Sequence, residues 1–481
     1  MKKTYLILTV ALLLGACKKH HDQPADSSNV PPYFQDIIIN EVLPNGSTSA
    51  FNHALGYFAL GSDPATQIMV ASRGREEHYD ARGFRIASIK KADGTVNWVK
   101  SFDLSDDYTI QIATCADMDK NENIWVGGHC FYQNQLGTMF LVKLDRNGNL
   151  LWSKTFPNAY YRAYSLVALA NGDVALLGKN AAGLVVHRVT TDGNPVWSTT
   201  VGYTNGGIDD DYYSSTTLPI SPENHGLVAA SDGSIYAATS SNPGGNGVGG
   251  RDRVYRWDGN GNLSFANVYS LDGNLSPVKP VQLVAAGPGK FLLADQITLG
   301  YGYGDYPYFM LLAADGSVTA ARGRPNDGTN PQGITMNQVN FYHDSVYYST
   351  CGDKQFNTYV LDANLNLLNA VKTASAIDIG TDRGGISLWD EGDRSLYYVL
   401  NFGGNPGESN GFEVLRNGVL GKPCINTYTV PPGTLLLQNA TVHVAKDADI
   451  SSSGIAPMVT LSPLSWRSYI VASHVEVVCG H

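Results

Sequence analysis

Apolar and polar residues alternate along most of this chain with a period of two, in short runs separated by turn residues. Residues 165–179, SLVALANGDVALLGK, show the unit: an alternating strand, an Asn-Gly turn and a second alternating strand. Such dipeptides between alternating runs are the strongest short-range hairpin signal, because both turn positions need a positive φ. A second hairpin recurs with Trp four residues after its turn Gly in three copies, at 86–102, 141–156 and 186–201. Weaker copies stand at 253–269, 309–324, 358–373 and 412–423. In register, the turn position is Gly94, Gly148, Gly193, Gly261, Gly316, Leu365 and Gly418, at steps of 54, 45, 68, 55, 49 and 53 residues. A companion turn precedes each, near Asp63-Pro64, Lys120-Asn121, Asn171-Gly172, Asp232-Gly233, Pro288-Gly289, His343-Asp344 and Glu391-Gly392.

Two hairpins per repeat make four strands, and seven such units of about 50 residues predict an all-β chain, a seven-bladed β-propeller over residues 36–423. A stack of β-sandwiches is the structural alternative. QDIIINEVL (35–43) precedes the first repeat, and the seventh has only a short last strand, so residues 36–43 are expected to complete blade seven or pack on its edge. Two more alternating runs lie in residues 424–481, expected as a small C-terminal β extension.

Composition supports this class: 51 Gly, 27 Tyr and 16% charged residues describe a turn-dense, aromatic-rich chain, poor in the residues that decorate exposed helices. A net charge of −10 without a clustered Lys/Arg stripe excludes nucleic acid as a partner.

The N-terminus adds an address. Met1-Lys2-Lys3, an apolar run from Tyr5 to Leu14 and the small residues before Cys17 make residues 1–16 a secretory signal, too short to span a bilayer. Leu14-Gly15-Ala16-Cys17 resembles the bacterial lipobox, which implies that Cys17 becomes the first mature residue and carries acyl chains such as palmitate. Residues 17–35, polar with paired prolines, read as a flexible tether. The expected partner is then a membrane, reached through the lipid on Cys17. The expected location is the cell envelope, as an outer-membrane lipoprotein facing either the periplasm or the exterior. Disulfides are allowed there, and Cys424 and Cys479, which bracket the last segment, are the preferred pair among the remaining cysteines Cys115, Cys130, Cys351, Cys424 and Cys479.

The repeat LDRNGNLLW resembles blades of the pyrroloquinoline-quinone-like propeller superfamily and related propellers of Bacteroidetes-type lipoproteins, over residues 50–422. The resemblance implies that Trp98, Trp152 and Trp197 dock between adjacent blades. Where Phe265, Ala320, Asn369 and Lys422 stand instead, docking is expected to be weaker or replaced. The cofactor does not transfer: the acidic, basic and vicinal-cysteine set of quinoprotein dehydrogenases is not found, and no cofactor is expected.

Nucleophile elbow, P-loop and H-E-x-x-H signatures are missing from the sequence, so no catalytic or metal-ligating residue is assigned. Asp209-Asp210-Asp211 lacks the alternating spacing of a calcium loop and reads as a solvated acidic segment. The better lead is aromatic. Tyr203, Tyr212, Tyr213, Tyr301, Tyr303, Tyr306 and Tyr308 cluster on two insertions with Gly and Asp, a mixture suited to stacking on sugar rings or to a protein contact. Arg251 and Arg253 flank a Gly-rich loop and can meet an anionic ligand or form strand-edge surface. The expected function is a non-enzymatic binding or scaffold module for a glycan or envelope protein. The alternative is an envelope enzyme acting on glycans or similar polymers, with acids that converge only in three dimensions.

Overall fold

A computed structural model describes residues 35–42, 48–49, 51–63, 65–73, 82–91, 94–104, 108–132, 135–156, 162–180, 183–203, 226–241, 251–271, 276–277, 282–298, 306–323, 335–342, 344–352, 355–374, 385–390, 395–402, 411–418, 427–429, 438–448, 450–456, 462–463, 466–470 and 473–479. All belong to one compact unit, Tyr33–His481; the signal segment, Cys17 and most of the tether lie outside the described residues.

Among the described residues every regular element is a strand. β1 (Gln35–Val42) and β2 (Thr48–Ser49) come first. Seven antiparallel meanders follow. The first comprises β3 (Phe51–Ala59), β4 (Thr66–Arg73), β5 (Arg82–Lys90) and β6 (Val96–Leu104). The second comprises β7 (Tyr108–Met118), β8 (Ile124–Tyr132), β9 (Gln135–Leu144) and β10 (Leu150–Thr155). The third holds β11 (Arg162–Ala168), β12 (Val174–Asn180), β13 (Gly183–Val189) and β14 (Pro195–Tyr203), the fourth β15 (Gly226–Ala229), β16 (Ile235–Ser241), β17 (Arg251–Trp257) and β18 (Leu263–Leu271). In the fifth, β19 (Ser276–Pro277) and β20 (Gln282–Ala285) share the first position, before β21 (Lys290–Thr298), β22 (Tyr306–Ala313) and β23 (Val318–Gly323). The sixth holds β24 (Thr335–Tyr342), β25 (Ser345–Gly352), β26 (Gln355–Asp362) and β27 (Leu367–Ala374). The seventh has β28 (Gly385–Asp390), β29 (Ser395–Phe402) and β30 (Gly411–Gly418), and takes its fourth strand from the start of the chain, because β1 pairs with β30 from Gln35↔Arg416 to Ile39↔Phe412. The expectation for residues 36–43 is met in this pairing. First strands of successive meanders lie beside one another, and β28 lies beside β3. The result is an all-β repeat fold of the propeller kind.

Among the described residues of the last segment, the strands pair with the meanders rather than with one another. β31 (Thr427–Thr429), β32 (Gln438–Asn439), β33 (Val442–Lys446), β34 (Ile450–Ala456), β35 (Ser462–Pro463), β36 (Trp466–Ile470) and β37 (Ser473–Cys479) pair antiparallel with β27, β23, β18, β14, β10, β6 and β1 respectively. Residues 427–479 thus pass the meanders in reverse order, six to one and then seven, adding a fifth strand to each. The alternating pattern announced strands here but not their partners. The physical reason is the outermost strand of each meander, whose unpaired N–H and C=O groups are a template for another strand. Between β33 and β34, the buried Asp447 carboxylate meets Arg253 at 3.0 Å and its backbone N–H donates to the Ala266 carbonyl at 3.0 Å, pinning the strap to the fourth meander. Arg253 is therefore engaged in the interior rather than presented to a ligand. Cys424 lies outside the described residues, so its pairing with Cys479 stays an expectation; Cys115 and Cys130 are buried free thiols.

Adjacent meanders are joined by one repeated clasp. The turn position takes a left-handed φ in Gly148 (68°), Gly193 (75°), Gly261 (86°) and Gly316 (81°). The aromatic ring of the preceding meander lies against it: a Cβ on Gly148 would stand 2.9 Å from Trp98, on Gly193 3.1 Å from Trp152, on Gly261 2.7 Å from Trp197 and on Gly316 3.0 Å from Phe265. Trp152 and Trp197 also donate their indole N–H to the turn carbonyls of Thr191 and Gly259, each at 3.1 Å. Phe265 has no such donor, and the turn it covers is held instead by the hydroxyls of Tyr236 and Tyr269, which donate to the Ala314 and Gly316 carbonyls at 2.9 and 2.6 Å. At the fifth junction the sizes reverse. Ala320 replaces the ring, and Leu365 fills the turn position at φ 64°, fully buried in the cluster that Ala320 packs against.

This size exchange predicts a coupled pair. Leu365→Gly should cost about 2 kcal/mol, since a buried leucine is worth about 3 kcal/mol and relief of the left-handed backbone returns about 1. Adding Ala320→Trp should recover more than about 1 kcal/mol in denaturant melts. Strictly additive effects would show that the two residues do not substitute for a ring and a glycine.

Candidate functional site

In an antiparallel meander the connections between first and second and between third and fourth strands leave from one end, and all others from the opposite end. At the first end every described connection is a tight turn, and its polar groups are spent locally. Asp145 accepts the N–H groups of Asn147 and Asn149, both at 2.8 Å, and the Asn149 side-chain amide. Asp258 with Asn260 and Asn262, and Asp362 with Asn364 and Asn366, repeat the arrangement. Within repeats, Arg146 meets Glu122 at 3.1 Å and Arg188 meets Asp173 at 2.8 Å; between repeats, the Ser62 hydroxyl donates to Glu122 at 2.6 Å and Arg188 donates to the Gly259 carbonyl at 2.9 Å. The strands that flank residues 204–225, 242–250 and 299–305 meet those segments at the opposite end.

Beneath that end, between the fourth and fifth meanders, sits the set of groups best placed for chemistry. Asp252 is the second residue of β17, and the alternation that points it toward the fifth meander also points Val254 there, with Ala238 on β16 and Tyr269 on β18. On the facing meander, Asp295 of β21 is paired in register with Tyr308 of β22, and Leu293 with Met310. Each of Asp252, Asp295 and Tyr308 is only 1% exposed. The two carboxyl groups hydrogen-bond to each other across the junction. Burial pushes the Asp252 carboxyl up to about 6, only partly offset by that hydrogen bond. Burial and then the charges of Asp252, Asp295 and Tyr269 raise the Tyr308 phenol, whose hydroxyl has no hydrogen-bond partner among the described residues. Such a pair can share a proton, or exchange it for a bound cation.

Three further interior groups, Asp117, His129 and His187, are perturbed. Asp117, at the end of β7, accepts the N–H of Ala168 on β11 at 2.7 Å, joining the second and third meanders; burial raises it to about 6. Between the same meanders, His129 and His187 are buried neutral imidazoles lowered to about 3 by desolvation, His129 with help from the Arg162 charge. His187 Nδ1 lies 2.6 Å from Ser198 Oγ, and its ring packs on Phe156 at 4.6 Å.

Of the tyrosines expected to form a platform, Tyr308 is in the core, because alternation along β22 turns it with Met310 and Leu312 toward the fourth meander rather than outward. Tyr212, Tyr213, Tyr301 and Tyr303 lie outside the described residues, as do the side chains of Tyr203 and Tyr306, whose strands end at the loop end. The acidic run 209–211 is likewise outside them. Asp252 and Asp295 were not singled out from sequence, although each is the lone carboxylate of its strand, RDRVYRW and KFLLADQIT. Among the described residues no group of three or more His, Cys, Asp or Glu converges.

No family model matches the sequence, and no curated protein matches it. Similar solved structures include a protein of unknown function from Bacteroides caccae, at 12% identity over 70% of this chain and 93% of that one, with a TM-score of 0.35. The β-propeller domain of the Trilobed protease from Pyrococcus furiosus is similar at 11% identity over 79% and 97%, with a TM-score of 0.41. A polysaccharide lyase is similar at 9% identity over 78% and 91%, with a TM-score of 0.43.

The perturbed groups give opposed pH slopes. Asp252 and Asp117 bind a proton in the folded chain between pH 3.8 and about 6 while the unfolded chain does not, so each loses stability as pH rises through that window, about 1.4 kcal/mol per unit. His129 and His187 are neutral when folded but protonated when unfolded between about 3 and 6.5, so each loses a similar amount as pH falls. From pH 6 to 4 these slopes nearly cancel. In chelator-treated buffer, Asp252→Asn should make the chain lose stability on acidification relative to wild type, and His129→Phe should make it gain. Urea melts at pH 7, 6, 5 and 4 read both; parallel curves for all three proteins would contradict the assignments.

Proposed function

We propose that this chain is a lipid-anchored, seven-bladed β-propeller of the cell envelope whose loop end binds a glycan or a protein ligand without chemistry. The observation that carries the reading is the one-sidedness of the fold. At one end the described connections are tight turns whose carboxylates, amides and guanidinium groups are consumed in capping and in ties within and between repeats. The other receives the long insertions, and rigid strands presenting variable loops from one end are the usual geometry of a binding surface. The segments carrying Tyr203, Tyr212, Tyr213, Tyr301, Tyr303 and Tyr306 leave from that end, in the third and fifth meanders on either side of the fourth. Seven meanders, the neighbouring of β28 and β3, and the strand lent by the N-terminus support a closed ring. A glycan-cleaving enzyme would need two carboxyl groups open to one cleft. The best described pair is sealed and bonded to itself, which favours binding. Anchoring through acyl chains on Cys17 rests on the lipobox-like sequence alone.

Cys17→Ala should release the chain from membranes into the soluble fraction. That soluble variant, screened on glycan arrays and in pull-downs from envelope extracts, should yield a ligand whose affinity falls at least about tenfold when Tyr301, Tyr303 and Tyr306 become Ala. Membrane retention of the variant would contradict the anchor, and unchanged affinity would remove the aromatic platform.

A further inference from the structure

We infer that the tight-turn end of this fold is the face laid against a lipid bilayer, with Leu150, Leu151, Val196 and Leu368 as its contact side chains, so that the loop end points away from the membrane. The inference deepens the anchoring proposed above and rests on it for the presence of a bilayer. Its direction comes from the strand order.

That direction follows from where the chain enters the fold. β30 is the third strand of the seventh meander, so it runs from the loop end toward the turn end, and β1 lies antiparallel to it. Gln35, the first residue of β1, pairs with Arg416, two residues before β30 ends at Gly418. The chain therefore enters at the turn end. Residues 18–34 join that point to Cys17, and the whole span from Cys17 to Gln35 is at most about 60 Å when fully extended. Bringing the loop end to the bilayer would first take the chain back along a meander, about 30 Å for a nine-residue strand such as β6, or about half of that reach. A bilayer beyond the turns needs no such detour.

The surface of that end suits the contact. Leu150 and Leu151 open β10, Val196 is the second residue of β14 and Leu368 the second of β27, each directly after a turn between third and fourth strands. They are four of the five large apolar side chains exposed among the described residues, Leu151 by 50% and Leu368 by 61%. The strap pairs with Lys154–Thr155, Ser198–Tyr203 and Val371–Thr373, loop-ward of all four. Nor does the turn call for apolar residues: the position that holds Leu151, Val196 and Leu368 is Asn97, Ser264 and Thr319 in the first, fourth and fifth meanders. Carboxylates on neighbouring turns, Asp145, Asp258 and Asp362, are bonded within their own turns, and the contact falls to the apolar side chains.

Their spacing suits a broad surface rather than a bound peptide, since the second, third and sixth meanders spread them along the row of repeats instead of gathering them in one groove. With a net charge of −10 the chain gains nothing from acidic lipids, so zwitterionic headgroups are the partner. Four side chains are too few to hold a protein on a bilayer unaided. Attachment at Cys17 makes their contact intramolecular, and they then need only set the orientation.

Hydroxyl-radical footprinting tests this on the full lipidated chain in phosphatidylcholine vesicles and on the Cys17→Ala chain in buffer. Val444 is the internal reference, exposed on the strap opposite Tyr269 in the loop-ward half of β18. Relative to Val444, modification of Leu151 and Leu368 should fall at least about threefold on the vesicles. Leu151→Glu combined with Leu368→Glu should abolish the protection gained by Leu150 and Val196 while leaving the chain attached. Equal modification on vesicles and in buffer, or protection of Val444 with none at the leucines, would overturn the inference. Failure of Cys17→Ala to release the chain would count against the anchor and not against this face. A hexahistidine placed before residue 18 of that variant, held on vesicles containing nickel-chelating lipid, then decides: the same footprint upholds the orientation, and unprotected Leu151 and Leu368 refute it.

Discussion

Each meander of this chain ends in an outermost strand whose peptide groups on one side find no partner within the meander. For an all-β chain these edges are the chief liability, since any extended segment can pair with them. Here the chain answers its own edges. β1 serves the seventh meander, and the strands from β31 to β37 serve all seven, β1 itself included. The order six to one and then seven follows from geometry: a chain leaving β30 in the seventh meander meets the sixth first when it runs backward. Because the strap's bonds are between backbone groups, it asks little of the side chains, and β33 shows mostly exposed residues. Among the described residues, side-chain anchoring includes the ion pair of Asp447 with Arg253, where the strap crosses between meanders, and the packing of Ala440 and Val442 on the core.

Inside the strap, the first five meanders are keyed each to the next by a ring over a left-handed turn. The glycine at the turn serves two needs, a positive φ and room for the ring. The solution at Ala320 and Leu365 keeps the packed volume while moving it from the strand to the turn, as tightly packed cores require. This ordering explains why the longer connections join strands at the other end. Turns that must seat a neighbour's ring cannot lengthen, whereas connections at the opposite end carry no such duty.

Much of this was legible in the residues. The two-residue alternation and the Asn-Gly and Asp-Gly turns located the strands, and even Leu365 fell in register with the turn glycines although its type gave no warning of a left-handed backbone. Pairing by β1 was legible because the seventh repeat lacked a full last strand. The strap was not, since short strands such as Gln438–Asn439 and Ser462–Pro463 are defined by the partner's edge rather than by their own pattern. The candidate site was legible only in part. Clustered tyrosines drew attention to β22, but alternation sent Tyr308 inward, while Asp252 and Asp295, 43 positions apart by numbering, meet through the packing of two meanders that no local signal encodes.

The strap is the feature that most directly distinguishes this fold from a row of independent repeats. Amide hydrogen exchange on the full chain and on a chain ending at residue 424 tests it. The shortened chain should exchange at least about tenfold faster along β6, β10, β14, β18, β23, β27 and β1 together, while the central strands β12, β16 and β21 stay protected. Unchanged protection along those seven strands would contradict it.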